Sequence, residues 1–247
     1  MKVFAPANSS QDSVYLLYKL LTETDDEIVT RCIAMDTVEY ELKQYGFVCE
    51  WLSSNIRKFD FGVSINVHPP LLSALDKVII KDNSWHSSIH THFDYNYAKE
   101  TNKHKPDKFV IGFNANNWHP SNWFFNANEK VEEFYRKDNP WVAGRYGVFT
   151  DYVSVPIEWP LMNENFCAGR YEIWELIPEE LRKLVARCTC GKCFKCQSQK
   201  WYHHMKSEGK SAVEIDDLIM KEGKYGKYFK KQASSVKSRH DAYINMV

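Results

Sequence analysis

Cys188, Cys190, Cys193 and Cys196 lie within the run Arg187-Cys-Thr-Cys-Gly-Lys-Cys-Phe-Lys-Cys196, and Cys32, Cys49 and Cys167 are scattered elsewhere. Four thiols so close together cannot all pair as disulfides without strain. They can converge on one tetrahedral metal ion, for which Zn²⁺ is the usual occupant. A site with four protein thiolates is closed, so the spacing speaks for a structural metal more than for chemistry at the metal.

A second group of residues could hold an anion. Pro6-Ala7-Asn8-Ser9-Ser10-Gln11-Asp12-Ser13 lies between a short apolar run, 2–5, and a helical pattern. Amides and hydroxyls at a helix N-terminus form a ready anion site. Asn8, Ser9, Ser10 and Ser13 offer donors, Gln11 lies among them, and Asp12 could hold Mg²⁺ against a phosphate. Ser and Asp are also ordinary N-cap residues. The histidines are less telling. His90 and His92, with His86 upstream, could bind metal or pass protons. A chain with 9 His is nevertheless expected to carry several in exposed loops.

Composition narrows the class. The 247 residues suffice for one large domain with an appendage, and 44% hydrophobic content supports a real core. Lys and Arg number 32 against 32 Asp and Glu, so the chain as a whole is no electrostatic nucleic-acid binder. No apolar run approaches the length of a membrane span, and Met1–Ala7 does not read as a secretory signal. A cysteine cluster without such a signal favours a reducing compartment, and the expected location is cytoplasmic.

The elements that must position these residues alternate. Strands are expected at 2–5, 27–35, 61–67, 108–113 and 152–156. Helices are expected at 12–21, 38–52, 127–135 and 171–177, with partial helix at 70–80. Alternation of this kind predicts an α/β fold with a doubly wound, mainly parallel five-stranded sheet. The stretch 84–105 reads as a long polar loop, and Trp118–Asn128 as an aromatic one. Beyond the cysteines strand patterns vanish. Ser211-Ala-Val-Glu214 is a capping box opening a helix through Met220. Lys224–Lys231 is basic and aromatic, a mixture suited to phosphates and bases, though a solvated lysine face has the same composition.

Together the loop and the cysteines carry a resemblance. Asn8-Ser-Ser-Gln-Asp-Ser13 is similar to the Ser-Gly-Gly-x-Asp-Ser pyrophosphate loop of the PP-loop ATP pyrophosphatases. Within that superfamily the chain resembles 7-cyano-7-deazaguanine synthase of the queuosine pathway, whose zinc knuckle reads Cys-Gly-x-Cys-x-x-Cys, as does Cys190-Gly-Lys-Cys193-Phe-Lys-Cys196. Phe109–Asn114 and Pro160-Leu161 with Arg170–Trp174 match shorter segments in the same order. The resemblance implies an adenine nucleotide alpha hydrolase-like fold. It covers a nucleotide-binding domain at 1–186 and a zinc knuckle at 187–205; the composition shift beyond them marks a basic helical tail at 206–247. Serines replace both loop glycines and Asn8 the leading serine. The family's second-strand segment, its Arg-Asn segment and its Tyr-Pro-Asp-Cys-Arg segment have no counterpart here.

The chemistry implied is activation of a 7-deazaguanine carboxylate by ATP. The carboxylate oxygen attacks the α-phosphorus, pyrophosphate leaves, and ammonia displaces AMP to give an amide; further activation of the amide oxygen, which then leaves, gives the nitrile. The resemblance implies ATP and Mg²⁺ at Asn8, Ser9, Ser10, Gln11, Asp12 and Ser13, with Gly112 and Asn114 facing the same crevice and Arg170 as a cation. Asp12, Ser13 and Arg170 would be the catalytic set. Structural Zn²⁺ would sit on Cys190, Cys193 and Cys196, with Cys188 as fourth ligand and Cys167 or His203 as alternatives. Relatives dimerise and act on small deazapurines, and in some settings the deazaguanine enters DNA. No membrane partner is expected, and nucleic acid could bind the basic tail. The replaced glycines support a different expectation, a PP-loop protein that binds nucleotide or nucleic acid without turnover.

Overall fold

The structure is a computed structural model, and it describes residues 1–34, 39–65, 96–112, 153–158, 160–163, 166–186 and 194–222. Cys188, Cys190, Cys193, Asn114, the expected helices at 70–80 and 127–135, the histidines at 86–92 and the basic segment 224–231 lie outside them.

Five strands form one sheet: β1 (Lys2–Phe4), β2 (Glu27–Ala34), β3 (Asp60–Ile65), β4 (Lys108–Val110) and β5 (Ile157–Glu158). Their order is β3-β2-β1-β4-β5, and every pairing is parallel. Two helices cover one face, α1 (Gln11–Glu23) and α2 (Glu39–Asn55), and a helix at residues 96–104 (α3) packs on the other. Successive β residues point to opposite faces, so Val3, Ile28 and Val110 join α1 and α2, while Phe4, Val29 and Phe109 join α3 through Ala98. A parallel sheet buried on both faces is what apolar runs without polar alternation produce. β6 (Met162–Asn163) and β7 (Phe166–Cys167) form a separate antiparallel pair.

The expected five-stranded parallel sheet is therefore present. Two expectations need correction. The fifth ladder forms at Ile157–Glu158 and not at 152–156. Pro156 has no N–H to give a ladder, although its carbonyl accepts Phe109 N–H at 2.9 Å. The polar stretch 84–105 also contains helix, at 96–104. Its inner face buries Asn96, Ala98, Glu100 and Thr101, so it lacks the apolar stripe by which a helix is read from sequence. Glu100 lies 3.3 Å from His104 Nε2 on the next turn, and the His104 ring stacks on Phe4.

Beyond β7 the chain is helical: α4 (Arg170–Leu176), α5 (Glu179–Arg182), α6 (Phe194–Ser207) and α7 (Ala212–Glu222). α6 runs across the boundary drawn at 205/206. Its Trp201, Tyr202 and Met205 follow a helical period, and Tyr202 stacks on Tyr171 of α4 at 4.6 Å between ring centres. The Tyr202 hydroxyl donates to Glu175 at 2.6 Å, and Lys206 reaches the same carboxylate at 2.8 Å. The capping box at α7 is formed as read: Glu214 accepts Ser211 N–H at 2.7 Å, and Ser211 Oγ accepts Glu214 N–H at 3.2 Å. Among the described residues no helix is long and apolar enough to cross a membrane.

Two outcomes follow from this packing. Leu17→Ala, at a fully buried position in the α1 stripe, is expected to cost about 2–5 kcal/mol in urea unfolding. Burial pushes the Cys32 and Cys49 thiols up to about 12 from 9.0. The fold favours the protonated thiol, so this contribution is intact below pH 9.0 and is lost as pH rises toward about 12. A thiol reagent at pH 8 should accordingly leave Cys32 and Cys49 unlabelled in the folded protein and label them in denaturant; rapid native labelling of either would contradict their burial.

Candidate functional site

The strand order reverses direction beside β1. The chain builds outward through β2 and β3, then returns to place β4 on the other side of β1. Loops leaving the C-terminal ends of β1 and β4 diverge there, and in open α/β sheets such a crevice is where ligands bind. Residues 5–10 leave β1, and Ile111 and Gly112 leave β4.

The first loop is held from several directions. Ala5 N–H bonds to Val29 O at 2.9 Å and Ala7 N–H to Arg31 O at 3.3 Å, so the chain stays on the sheet edge past β1. Asn8 Oδ1 then accepts Ser10 N–H at 2.8 Å, closing an Asx turn. Ser10 is the N-cap of α1, extended at φ −73° and ψ 153°, and its carbonyl accepts Val14 N–H at 2.9 Å. Ser10 Oγ lies 3.3 Å from Ser13 Oγ rather than on a first-turn amide. The leading amides of a helix have no intrahelical acceptor, so those of Gln11, Asp12 and Ser13 can serve a ligand, and the helix dipole favours an anion there.

Ser9 is the most telling residue. It is 0% exposed, and its Oγ has no hydrogen-bond partner among the described residues. An orphaned buried hydroxyl costs about 1–3 kcal/mol, which a bound phosphate oxygen would remove. Its own carbonyl accepts Ala186 N–H at 2.9 Å. The cysteine run opens at Cys188, two residues beyond Ala186.

Replacement of the loop glycines does not strain the backbone. Among the described residues the non-glycine with positive φ is Lys105, at 47°, so Ser9 and Ser10 need no glycine-like conformation. Gly112, by contrast, lies where a Cβ would stand 3.2 Å from Leu16 Cδ2 and 3.3 Å from Asp12 O. The β4 exit at Gly112 thus packs closely against the first turns of α1.

Arg170 begins α4, and its carbonyl accepts the Gln11 side-chain N–H at 2.6 Å. The structure therefore brings Asn8, Ser9, Ser10, Gln11, Asp12, Ser13, Gly112 and the Arg170 backbone together. Of the four cysteines in the expected metal set, Cys196 is described: it is buried in the first turn of α6. Among the described residues no group of His, Cys, Asp and Glu is placed to hold a metal, and the other three thiols of the expected set lie outside them.

Sequence reading overlooked Asp216 and Gly169. The Asp216 carboxylate is 3% exposed and accepts Tyr171 N–H at 3.0 Å and Glu172 N–H at 2.8 Å. It caps α4 from a position 45 residues away. A Cβ on Gly169 would overlap that carboxylate. The available signal was a helix opening on Gly-Arg with no Ser, Thr, Asp or Asn at its N-cap.

No protein-family model matches the sequence, and no curated protein matches it. Solved structures do match in shape. The U34-tRNA thiolase NcsA from Methanococcus maripaludis, determined with its [4Fe-4S] cluster, is similar at a TM-score of 0.50 and 15% identity, over 97% of this chain and 73% of its own. A predicted tRNA methyltransferase subunit from Methanocaldococcus jannaschii gives a TM-score of 0.39 at 14% identity, over 86% of this chain and 90% of its own. The likeness to the thiolase is one of fold. With the strand order β3-β2-β1-β4-β5, it is consistent with an adenine nucleotide alpha hydrolase-like α/β fold.

Proposed function

We propose that this chain binds ATP at the Asn8–Ser13 loop and uses it to adenylate a carboxylate on a 7-deazaguanine, as an ATP-dependent carbon–nitrogen ligase of the 7-cyano-7-deazaguanine synthase type. The observation that carries the nucleotide part is the Ser9 hydroxyl, buried without a partner among the described residues beside the N-terminus of α1. The deazaguanine part rests on the cysteine knuckle and the segment matches in the sequence.

Each residue has a role in this reading. The amides of Gln11, Asp12 and Ser13, with the Ser9 hydroxyl, take the oxygens of the leaving pyrophosphate, where negative charge grows as the α-phosphorus bond breaks. Asp12, half-buried in the first turn, would hold Mg²⁺, which neutralises phosphate charge when bound. Arg170 supplies a cation at the start of α4. Gly112 leaves room for close approach of the β4 loop. Asn114 would extend the same crevice. The reaction needs alignment and charge stabilisation more than covalent help.

The cysteines would hold one metal centre. Four thiolates suit Zn²⁺, the occupant the knuckle implies. They equally suit an iron–sulfur cluster, the group carried by the structurally similar thiolase. Metal analysis and visible absorption of protein purified without oxygen distinguish the two. One zinc per chain and no visible colour is expected, lost in Cys193→Ala; a brown protein with iron and sulfide would assign the thiols to a cluster.

Activity is tested by incubating the protein with MgATP, ammonium and 7-carboxy-7-deazaguanine and measuring AMP and pyrophosphate. Release of both is expected, with Asp12→Ala slower by roughly 100-fold. ATP binding without AMP release would refute the ligase and leave a nucleotide-binding protein without turnover.

A further inference from the structure

The geometry points to Asp216 as a positioning residue of the phosphate loop, which makes α7 a working part of the site. The inference rests on the reading of Asn8–Ser13 as a nucleotide phosphate site.

α4 begins after Gly169, which has no side chain with which to cap it. Its leading amides need an acceptor from elsewhere. Asp216 provides one with both carboxylate oxygens, at 3.2 and 3.0 Å from Tyr171 N and 2.8 Å from Glu172 N. Gly169 is the matching half of this joint, because any Cβ there would collide with the Asp216 carboxyl carbon. Apolar burial holds α7 in place: Ala212 and Ile215 pack with Tyr171 and Tyr202.

From α4 the connection continues to the loop at two points. The Arg170 carbonyl, one residue before the first capped amide, holds the Gln11 side chain at 2.6 Å. At the far end of the same stretch, Ala186 N–H holds Ser9 O at 2.9 Å. The residues on either side of Ser10, the α1 N-cap, are therefore tethered to the segment 170–186, whose beginning is fixed by Asp216. The two helix starts also divide their electrostatic roles. Asp216 already places a negative charge on the α4 terminus, which disfavours a second anion there. The neighbouring terminus of α1 is left as the one that takes phosphate.

The test uses the full chain with Asp216→Ala and Asp216→Asn, and Glu214→Ala as control. Glu214 sits on the same helix, exposed, in the capping box with Ser211, so its loss weakens α7 without touching α4. Affinity for inorganic pyrophosphate and for MgATP is measured by calorimetry, and amide exchange is followed across 8–13 and 170–172. In Asp216→Ala we expect about a tenfold or greater loss of pyrophosphate affinity, the scale of one charge-assisted hydrogen bond, with faster exchange in both segments. Asp216→Asn, which keeps an acceptor and the shape, should fall between it and the unaltered protein and serves alone if the alanine variant does not fold. Glu214→Ala should bind as the unaltered protein does. Unchanged affinity together with unchanged exchange across 8–13 on loss of the Asp216 carboxylate overturns the inference. If the unaltered protein binds neither probe, the phosphate-site reading fails, and exchange across 8–13 by itself decides whether Asp216 orders the loop.

Discussion

The central position of β1 constrains everything else in this molecule. Three residues, Lys2–Phe4, pair with β2 on one side and β4 on the other. Val3 and Phe4 are fully buried on opposite faces. A strand so short, covered on both faces, has no free edge and little length along which to slip. The chain must leave it at one place, the reversal of strand order, and the polar residues 8–13 occupy that exit. Because β1 ends where its two neighbours part, the first turn of α1 faces a crevice that the sheet cannot fill.

The C-terminal helices complete this arrangement. α4 joins α1 through Gln11, while α6 and α7 join α4 through stacked tyrosines and the Asp216 carboxylate. The described part of the expected basic tail, 206–222, is a docked and largely acidic helix with its turn, carrying Glu208, Glu214, Asp216, Asp217 and Glu222. The carboxylates of Asp216 and Glu214 each close a helix start, one on α4 and one on α7 itself.

Much of the sheet was legible because the inner strands read as short apolar runs and the edge strand β3, with Val63 exposed, as an alternating one. Lys2–Phe4, Glu27–Ala34 and Asp60–Ile65 fall within a residue or two of where pattern placed them. α3 was hidden because its inner face buries Asn96, Glu100 and Thr101, polar residues that a pattern of apolar positions cannot register. α6 was overshadowed by the cysteines at its start, although Trp201, Tyr202 and Met205 carried a helical period. The loop residues stood out in the sequence because Asn, Ser and Asp ahead of a helical run are the local signature of a helix start. The hold exerted on that loop by Ala186, Arg170 and Asp216 joins positions far apart in the chain, and no local pattern encodes it.

The borrowed cap on α4 also orders events in time. Residues 170–176 leave the ribosome well before Asp216, so the helix that meets Gln11 spends that interval with its first amides open to water. β1 likewise waits for Lys108 before its second edge is paired. Contacts of such long sequence separation form late and slow folding. Residues 8–13 thus reach their final geometry only once α7 has been made and has docked on α4.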